Sequence, residues 1–453
     1  MALNAGVDII NDPPDGEAQD VMMEALRQGL ISEDAIDMAA TDILELSIVT
    51  GIFDSPSEVP FKRLNSSEIA SAKHTELALR AAREAITLIR NENATLPLSN
   101  EDLGSIAVVG PAADDTVAMQ ASYSGTPPFR SSILSALKKD FNVAFAPGCA
   151  FLNCSDDSGF TEAANAAADR ITVVVLGSTW VTPFDSGIAA PETEMEGSDR
   201  ADIGLPGLQE ALLRRVTSVA KRTILVLVAA APVSLPATLP SVDAALVASF
   251  SGQSTAQAVG DVLVGRTTPS GKLPFTIPDS LVSLPDIRNY TMVNRTYRFA
   301  ETYLYPFGYG LSYTTFAYSN LQVDHSDLQS PCLRANFTFE VSNTGGRTGD
   351  EVAQLYCAWN DSSSRPELKD FTRLPGLEPE STAAVATLEI HPRSIAVVRD
   401  ADFSLVVRPG VLTCFVGGGQ PGVGKEHKTW ETTLAAEIQV GGEETPLGSC
   451  EVA

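Results

Sequence analysis

Four carboxylates and a guanidinium crowd into one short stretch, Pro191-Glu-Thr-Glu-Met-Glu-Gly-Ser-Asp-Arg200. Its ionisable residues are Glu192, Glu194, Glu196, Asp199 and Arg200. Neighbouring carboxylates can divide the labour of proton transfer, one donating while another stays ionised, so general acid–base catalysis is the chemistry this pattern suits. The competing reading is a solvated acidic loop, the usual fate of a charge run. Asp8, at the end of the apolar run Gly6-Val-Asp-Ile-Ile10, is a second candidate. It is a ligand-binding carboxylate if that run is a barrel strand, and otherwise a turn or cap residue. Gly419-Gln-Pro-Gly-Val-Gly-Lys-Glu426 comes near a phosphate-binding loop, but Glu426 stands where Ser or Thr should hold Mg²⁺. The sequence has no G-x-S-x-G nucleophile elbow and no H-E-x-x-H motif. Its scattered histidines (His74, His325, His391, His427) and its cysteines fit no zinc spacing.

The acidic stretch needs elements to position it. It follows Ile171 to Leu176 (ITVVVL), which reads as a buried strand, and precedes Leu205-Pro206-Gly207 and an amphipathic segment from Leu208 to Val219. A carboxylate cluster on a strand-to-helix loop is well placed for chemistry, because a rigid scaffold then carries the reactive groups. Ile106 to Val109, Thr223 to Val228 and Ala244 to Val247 are also continuous apolar runs. Between the runs lie helical segments at Arg130 to Lys139, Glu162 to Arg170 and Ser254 to Val264. Continuous rather than alternating apolar strands imply a parallel sheet covered by helices on both faces. In that architecture ligands bind at the carboxyl ends of the strands, which is where Glu192–Arg200 would sit.

Either side of this region the texture changes. Residues 1–53 carry one short strand, Gly6 to Ile10, then helix signals from Ala18 to Gly29, and a second helix capped by Ser32 and stopped by Gly51. So little chain cannot bury a core by itself. Residues 54–103 read as a linker holding a helix from His74 to Arg90. The α/β region spans 104–278, and a turn-rich linker 279–314. Alternating short strands over 315–420 (Ala335 to Val341, Glu351 to Cys357, Ala383 to Ile390, Phe403 to Val407, Leu412 to Val416) predict a β-sandwich. Residues 421–453 read as an acidic, less ordered tail.

Composition narrows the partners. The chain has 453 residues, 44% hydrophobic and 19% charged, so it is globular and multidomain. Its net charge of −26 excludes nucleic acid and an anionic membrane surface, which need a basic face. No run is long enough to span a bilayer. Sequons stand at Asn65, Asn93, Asn153, Asn289, Asn294, Asn336 and Asn360, and together with an even cysteine count they favour a secretory, extracellular route. Met1-Ala-Leu-Asn-Ala-Gly nevertheless has no basic or long apolar leader.

Together these motifs resemble glycoside hydrolase family 3. The resemblance rests on Ala2-Leu-Asn-Ala-Gly-Val-Asp8, Gly51-Ile-Phe-Asp54, Ala78 to Asn91 with Leu96-Pro97-Leu98, and Val108-Val-Gly-Pro111. It continues through Glu196-Gly-Ser-Asp-Arg200 with Leu205-Pro206-Gly207, Pro269-Ser-Gly-Lys-Leu-Pro274, Tyr305 to Tyr313, Val341-Ser-Asn-Thr-Gly345 and Gly349 to Tyr356. The motifs run from about residue 2 to 420 in the family's order. Gly148-Cys149…Cys154 and Arg295-Thr-Tyr-Arg-Phe299 look more like the β-xylosidase branch than the β-glucosidase branch.

The resemblance implies three parts: the end of a (β/α)₈ barrel, an α/β sandwich and a fibronectin type III-like domain. It implies an O-glycosyl hydrolase with a retaining mechanism on two carboxylates, about 5–5.5 Å apart, and no cofactor. By motif, Glu196 is the acid/base, Glu194 is in reserve, and Asp8 and Arg200 bind substrate. Cys149 and Cys154 are expected to close a small disulfide loop. The implied partner is an oligo- or polysaccharide, a β-xyloside of xylan above all. The alternatives are a β-glucoside, an α-L-arabinofuranoside, or a non-catalytic carbohydrate-binding remnant. Trp180 and Trp359 could stack on sugar faces, the competing reading being core packing. One departure is sharp: the family's nucleophile is an Asp in Ser-Asp-Trp or Ser-Asp-Cys, and neither tripeptide occurs here. The expectation is therefore a C-terminal portion, inactive alone, with the nucleophile, most barrel strands and any leader belonging to an upstream segment.

Overall fold

The computed structural model describes residues 2–9, 17–99, 105–120, 124–178, 200–422 and 432–450. These fall into two compact units, Met1–His74 and Thr75–Ala453.

The first unit is helical. Helix α1 spans Glu17–Arg27 and α2 spans Glu33–Val49. Ser32 caps α2 as its sequence predicts: its side chain accepts from the Ala35 amide at 3.2 Å, and Glu33 and Asp34 sit at the positive end of the helix. The expected strand at Gly6–Ile10 is not found. Val7, Asp8 and Ile9 are exposed, and they pair with no strand among the described residues. An extended segment becomes a strand only when a partner takes its backbone hydrogen bonds. Ile31 and Ala39 are the buried apolar side chains described in this unit.

Helix α3, Ala72–Ala85, carries the chain into the second unit, and β1, Thr87–Asn91, follows. Here the expected helix to Arg90 is overturned, because the helix stops at Ala85. Thr87 and Ile89 are β-branched, and extension sends Leu88 and Ile89 into opposite faces of the sheet, both fully buried. There follow β2 (Ser105–Val109), α4 (Ile133–Leu137), β3 (Asn142–Ala146), α5 (Phe160–Ala167) and β4 (Ile171–Gly177). Next come α6 (Gln209–Thr217), β5 (Arg222–Val228), β6 (Ala244–Ala248) and α7 (Thr255–Leu263). The sheet order is β1-β6-β5-β4-β2-β3. All neighbours are parallel except β1, which lies antiparallel to β6 at one edge, so the sheet is mixed rather than wholly parallel.

Alternate residues of each run enter opposite cores. Val173, Val175, Ile224 and Val226 meet α3, α4 and α7, while Val174, Leu176, Leu225 and Leu227 meet α5 and α6. Each such side chain contributes roughly 1.5–3 kcal/mol on burial. The segment expected as a linker is woven into this domain, since Leu311 bridges to Leu88 and Tyr305 to Ile277.

The β-sandwich pairs a five-stranded sheet with a three-stranded one. The strands are β7 (Phe316–Val323), β8 (Asp327–Leu328), β9 (Ala335–Asn343), β10 (Gly349–Trp359), β11 (Glu367–Leu377), β12 (Ala384–Ile390), β15 (Gly410–Gly417) and β16 (Leu434–Val440). A small third sheet joins β13 (Val397–Val398), β14 (Leu405–Val407) and β17 (Thr445–Pro446). In β9 alternation is strict, with Ala335, Phe337, Phe339, Val341 and Asn343 inward. Within the expected tail, residues 432–450 are ordered: β16 pairs along its length with β15, and Cys450 is bonded to Cys332. Further disulfides join Cys357 to Cys414 and Cys149 to Cys154.

Candidate functional site: the loop edge of the mixed sheet

Glu192, Glu194, Glu196 and Asp199, with Trp180, lie outside the described residues. The structure does fix the described residues on either side of them. The outgoing end is Gly177–Ser178, at the carboxyl end of β4. The Ser178 amide donates to the Val228 carbonyl at 3.1 Å, so the loop departs beside the carboxyl end of β5. Gly177 is required there, since a Cβ would stand 1.9 Å from the Val228 carbonyl oxygen.

Gln209, the first residue of α6 and fully buried, clamps this exit. Its Oε1 accepts from the Gly177 amide at 2.9 Å, and its Nε2 donates to the Gly177 carbonyl at 2.8 Å. The same Nε2 donates to the Leu152 carbonyl, inside the loop closed by Cys149 and Cys154. That small loop follows β3, on the same edge of the sheet. It is tied to the start of α6 by the Leu208 amide, which donates to Cys154 O at 2.9 Å. Gly207, at φ +54°, passes so close to the Asn153 carbonyl that a Cβ would lie 1.8 Å from it. The turn Leu205-Pro206-Gly207 thus fits against the disulfide loop.

The returning end is Arg200. Its Nη2 donates to Pro232 O at 3.0 Å and its Nη1 to Gly204 O at 3.4 Å, while the Ser234 amide donates to Ile203 O at 2.8 Å. Arg200 therefore holds the loop's return to the segment following β5. Asp8 is exposed in the first unit. Trp359 is not a sugar platform: it is 9% exposed in the sandwich core, with the Arg408 guanidinium 5.0 Å from its ring.

Sequence reading passed over Gln209, whose only signal was an amide-bearing residue directly behind Leu205-Pro-Gly-Leu208. It also passed over a buried polar joint between the two domains of the second unit. Lys272 Nζ lies 3.6 Å from Glu351 Oε2, and the Tyr318 hydroxyl donates to Glu351 Oε1 at 2.8 Å. Burial pulls the Lys272 ammonium below its ordinary value and pushes the Glu351 carboxyl above its own, while their mutual attraction opposes both shifts. Among the described residues no group of His, Cys, Asp and Glu is arranged to hold a metal, and no helix is long and apolar enough to cross a membrane.

A mixed sheet covered on both faces, joined to a β-sandwich through a buried ion pair, defines a two-domain α/β-plus-sandwich unit. The Glycosyl hydrolase family 3 C-terminal domain matches residues 86–313, and the Fibronectin type III-like domain matches residues 351–420. The chain belongs to glycosyl hydrolase family 3. It is 32% identical to a beta-xylosidase of Formosa agariphila over 84% of this chain and 53% of that protein. Among solved structures, it is similar to a family 3 exo-beta-xylosidase in complex with a xylobiose aziridine probe, with TM-score 0.79, 26% identity, and 98% of this chain and 60% of that one covered. It is also similar to a β-glucosidase from Erythrobacter marinus, with TM-score 0.77, 29% identity, and 97% and 60% covered. The chain spans about half the length of the curated relatives it matches.

Proposed function

We propose that this chain supplies the acid/base half of a retaining glycoside hydrolase acting on β-xylosides, with Glu196 as acid/base and Glu194 in reserve. The observation that carries the proposal is the anchoring of the carboxylate loop. Both its ends are pinned at the carboxyl edge of the sheet, where α/β domains bind ligands. The proton chemistry asks for a carboxyl that first protonates the leaving oxygen and then activates water. The nucleophilic Asp would come from a barrel segment, because neither Ser-Asp-Trp nor Ser-Asp-Cys occurs in these residues. The xyloside reading is supported by the Formosa relative and the exo-xylosidase structure. A β-glucoside is the second reading, favoured by the Erythrobacter structure. Three disulfides support an oxidising, secretory location.

The test is hydrolysis of chromogenic β-xyloside and β-glucoside by the purified chain, alone and with a family 3 barrel segment co-expressed. Turnover is expected only in the second format, faster on the xyloside, and about 10²–10⁴-fold slower after Glu196→Gln. Turnover by the chain alone would overturn the external nucleophile. Full activity of both Glu196→Gln and Glu194→Gln would overturn the acid/base assignment. Silence in both formats would favour a non-catalytic carbohydrate binder.

A further inference from the structure

Residues of the segment 274–307 line a cavity of about 360 Å³. That volume falls in the range of small-molecule sites, roughly 300–1,000 Å³. The walls are largely apolar, from Phe275, Leu284, Tyr297, Ala300 and Phe307. Tyr297 and Phe307 stack with ring centroids 4.4 Å apart and planes 16° from parallel. The Tyr297 hydroxyl accepts from the Leu368 amide at 3.1 Å, which holds that ring in place.

Two polar groups of the wall are unsatisfied. Thr276 Oγ1 and Asn294 Oδ1 are buried without a hydrogen-bond partner, a state that native interiors seldom tolerate without a reason. Other polar wall residues are committed: the Ser283 hydroxyl donates to Ser280 O, the Thr296 hydroxyl accepts from the Arg298 amide, and Thr302 is bonded to Asp279. The backbone at the wall is strained as well. Asn294 and Thr296 both stand at φ +56°, and for a β-branched threonine this is an outlier of the kind that clusters at ligand sites.

We propose that this cavity binds a small uncharged aromatic compound bearing a hydroxyl, of the phenol class. An aromatic ring matches the apolar walls, and its hydroxyl can donate to Asn294 Oδ1 and accept from the Thr276 hydroxyl. A sugar fits less well, because it carries a hydroxyl on most ring carbons and the wall is largely apolar, with Thr276 Oγ1 and Asn294 Oδ1 as its unsatisfied buried polar atoms. Glu301 is the one charged residue of the lining, which disfavours an anionic ligand. The site shares no residue with the carboxylate loop, and the proposal stands whether or not the hydrolase reading holds.

The test is calorimetric titration of the 453-residue chain with p-cresol, with xylose in parallel. Saturable one-to-one binding of p-cresol is expected, and none of xylose. Thr276→Val removes the hydroxyl at constant shape, and Asn294→Gly removes the amide while keeping the left-handed backbone accessible. Each should weaken p-cresol about tenfold, the weight of one hydrogen bond. In the ligand-free chain Thr276→Val should leave Tm unchanged or raised, since it deletes an unpaired buried group; this readout does not need the ligand. Absence of saturable p-cresol binding, binding equal in the wild type and both variants, or tighter binding of xylose than of p-cresol would each overturn the proposal.

Discussion

The side chain of Gln209 holds both backbone groups of Gly177, accepting from its amide and donating to its carbonyl. The chain therefore leaves β4 at a fixed point, held by a residue 32 positions further on. Gln209→Leu keeps the bulk but strands two buried backbone groups of Gly177 and the Leu152 carbonyl. A loss of roughly 1–3 kcal/mol is expected in urea unfolding, together with faster hydrogen exchange at the Gly177 amide. Unchanged exchange at that amide would show that the clamp carries no strain of the loop.

The Lys272–Glu351 pair is a second testable joint. Lys272→Met leaves Glu351 buried without its counter-charge and should cost about 3–5 kcal/mol, whereas Lys272→Met with Glu351→Leu should recover most of that loss. Chemical denaturation of the two single variants and the double variant measures the coupling. Additive losses would mean that the pair is not coupled.

Buried tyrosines set an alkaline limit. Burial pushes Tyr305 up to about 12, and it also raises Tyr309, Tyr313, Tyr318 and Tyr356. The unfolded chain loses these protons near pH 10 while the folded chain keeps them, so the folded state binds more protons and stability falls as pH rises. For Tyr305 the contribution is complete below about pH 10 and is lost progressively towards about pH 12. The urea midpoint should therefore decline from about pH 10 upward, and less steeply in Tyr305→Phe. A flat midpoint over that range would contradict the burial argument.

The sequons differ in what the fold leaves them. Asn65, Asn93, Asn289 and Asn360 are exposed; Asn153, Asn294 and Asn336 are half-buried. The Asn336 amide donates to Asp324 Oδ2 at 2.7 Å, and Asn153 lies inside the disulfide loop against Gly207. In a glycosylating secretory host, peptide mapping should find glycans on the first group and little on the second. A fully occupied Asn153 would sink this ordering.

Residue order alone determined what depends on local pattern. The runs at Ile171, Thr223 and Ala244 had to be strands buried on both faces, because apart from Thr172 and Thr223 their side chains are apolar without alternation. That the segment carrying Glu192, Glu194, Glu196 and Asp199 joins β4 to α6 follows from chain order alone, while their roles rest on the proposal above. Tertiary structure decided what depends on a partner. Thr87–Asn91 continues a helical pattern in sequence and becomes a strand because the β6 edge takes its hydrogen bonds. Leu434–Val440 looks like part of a polar tail until β15 and the Cys332–Cys450 bond give it a place, while Val7–Ile9, with no such edge among the described residues, is not a strand. Gln209 and the Lys272–Glu351 pair were illegible for the same reason. A side chain's periodicity reports whether it is buried, but the group it meets lies 32 or 79 residues away, and only the folded chain brings the two together.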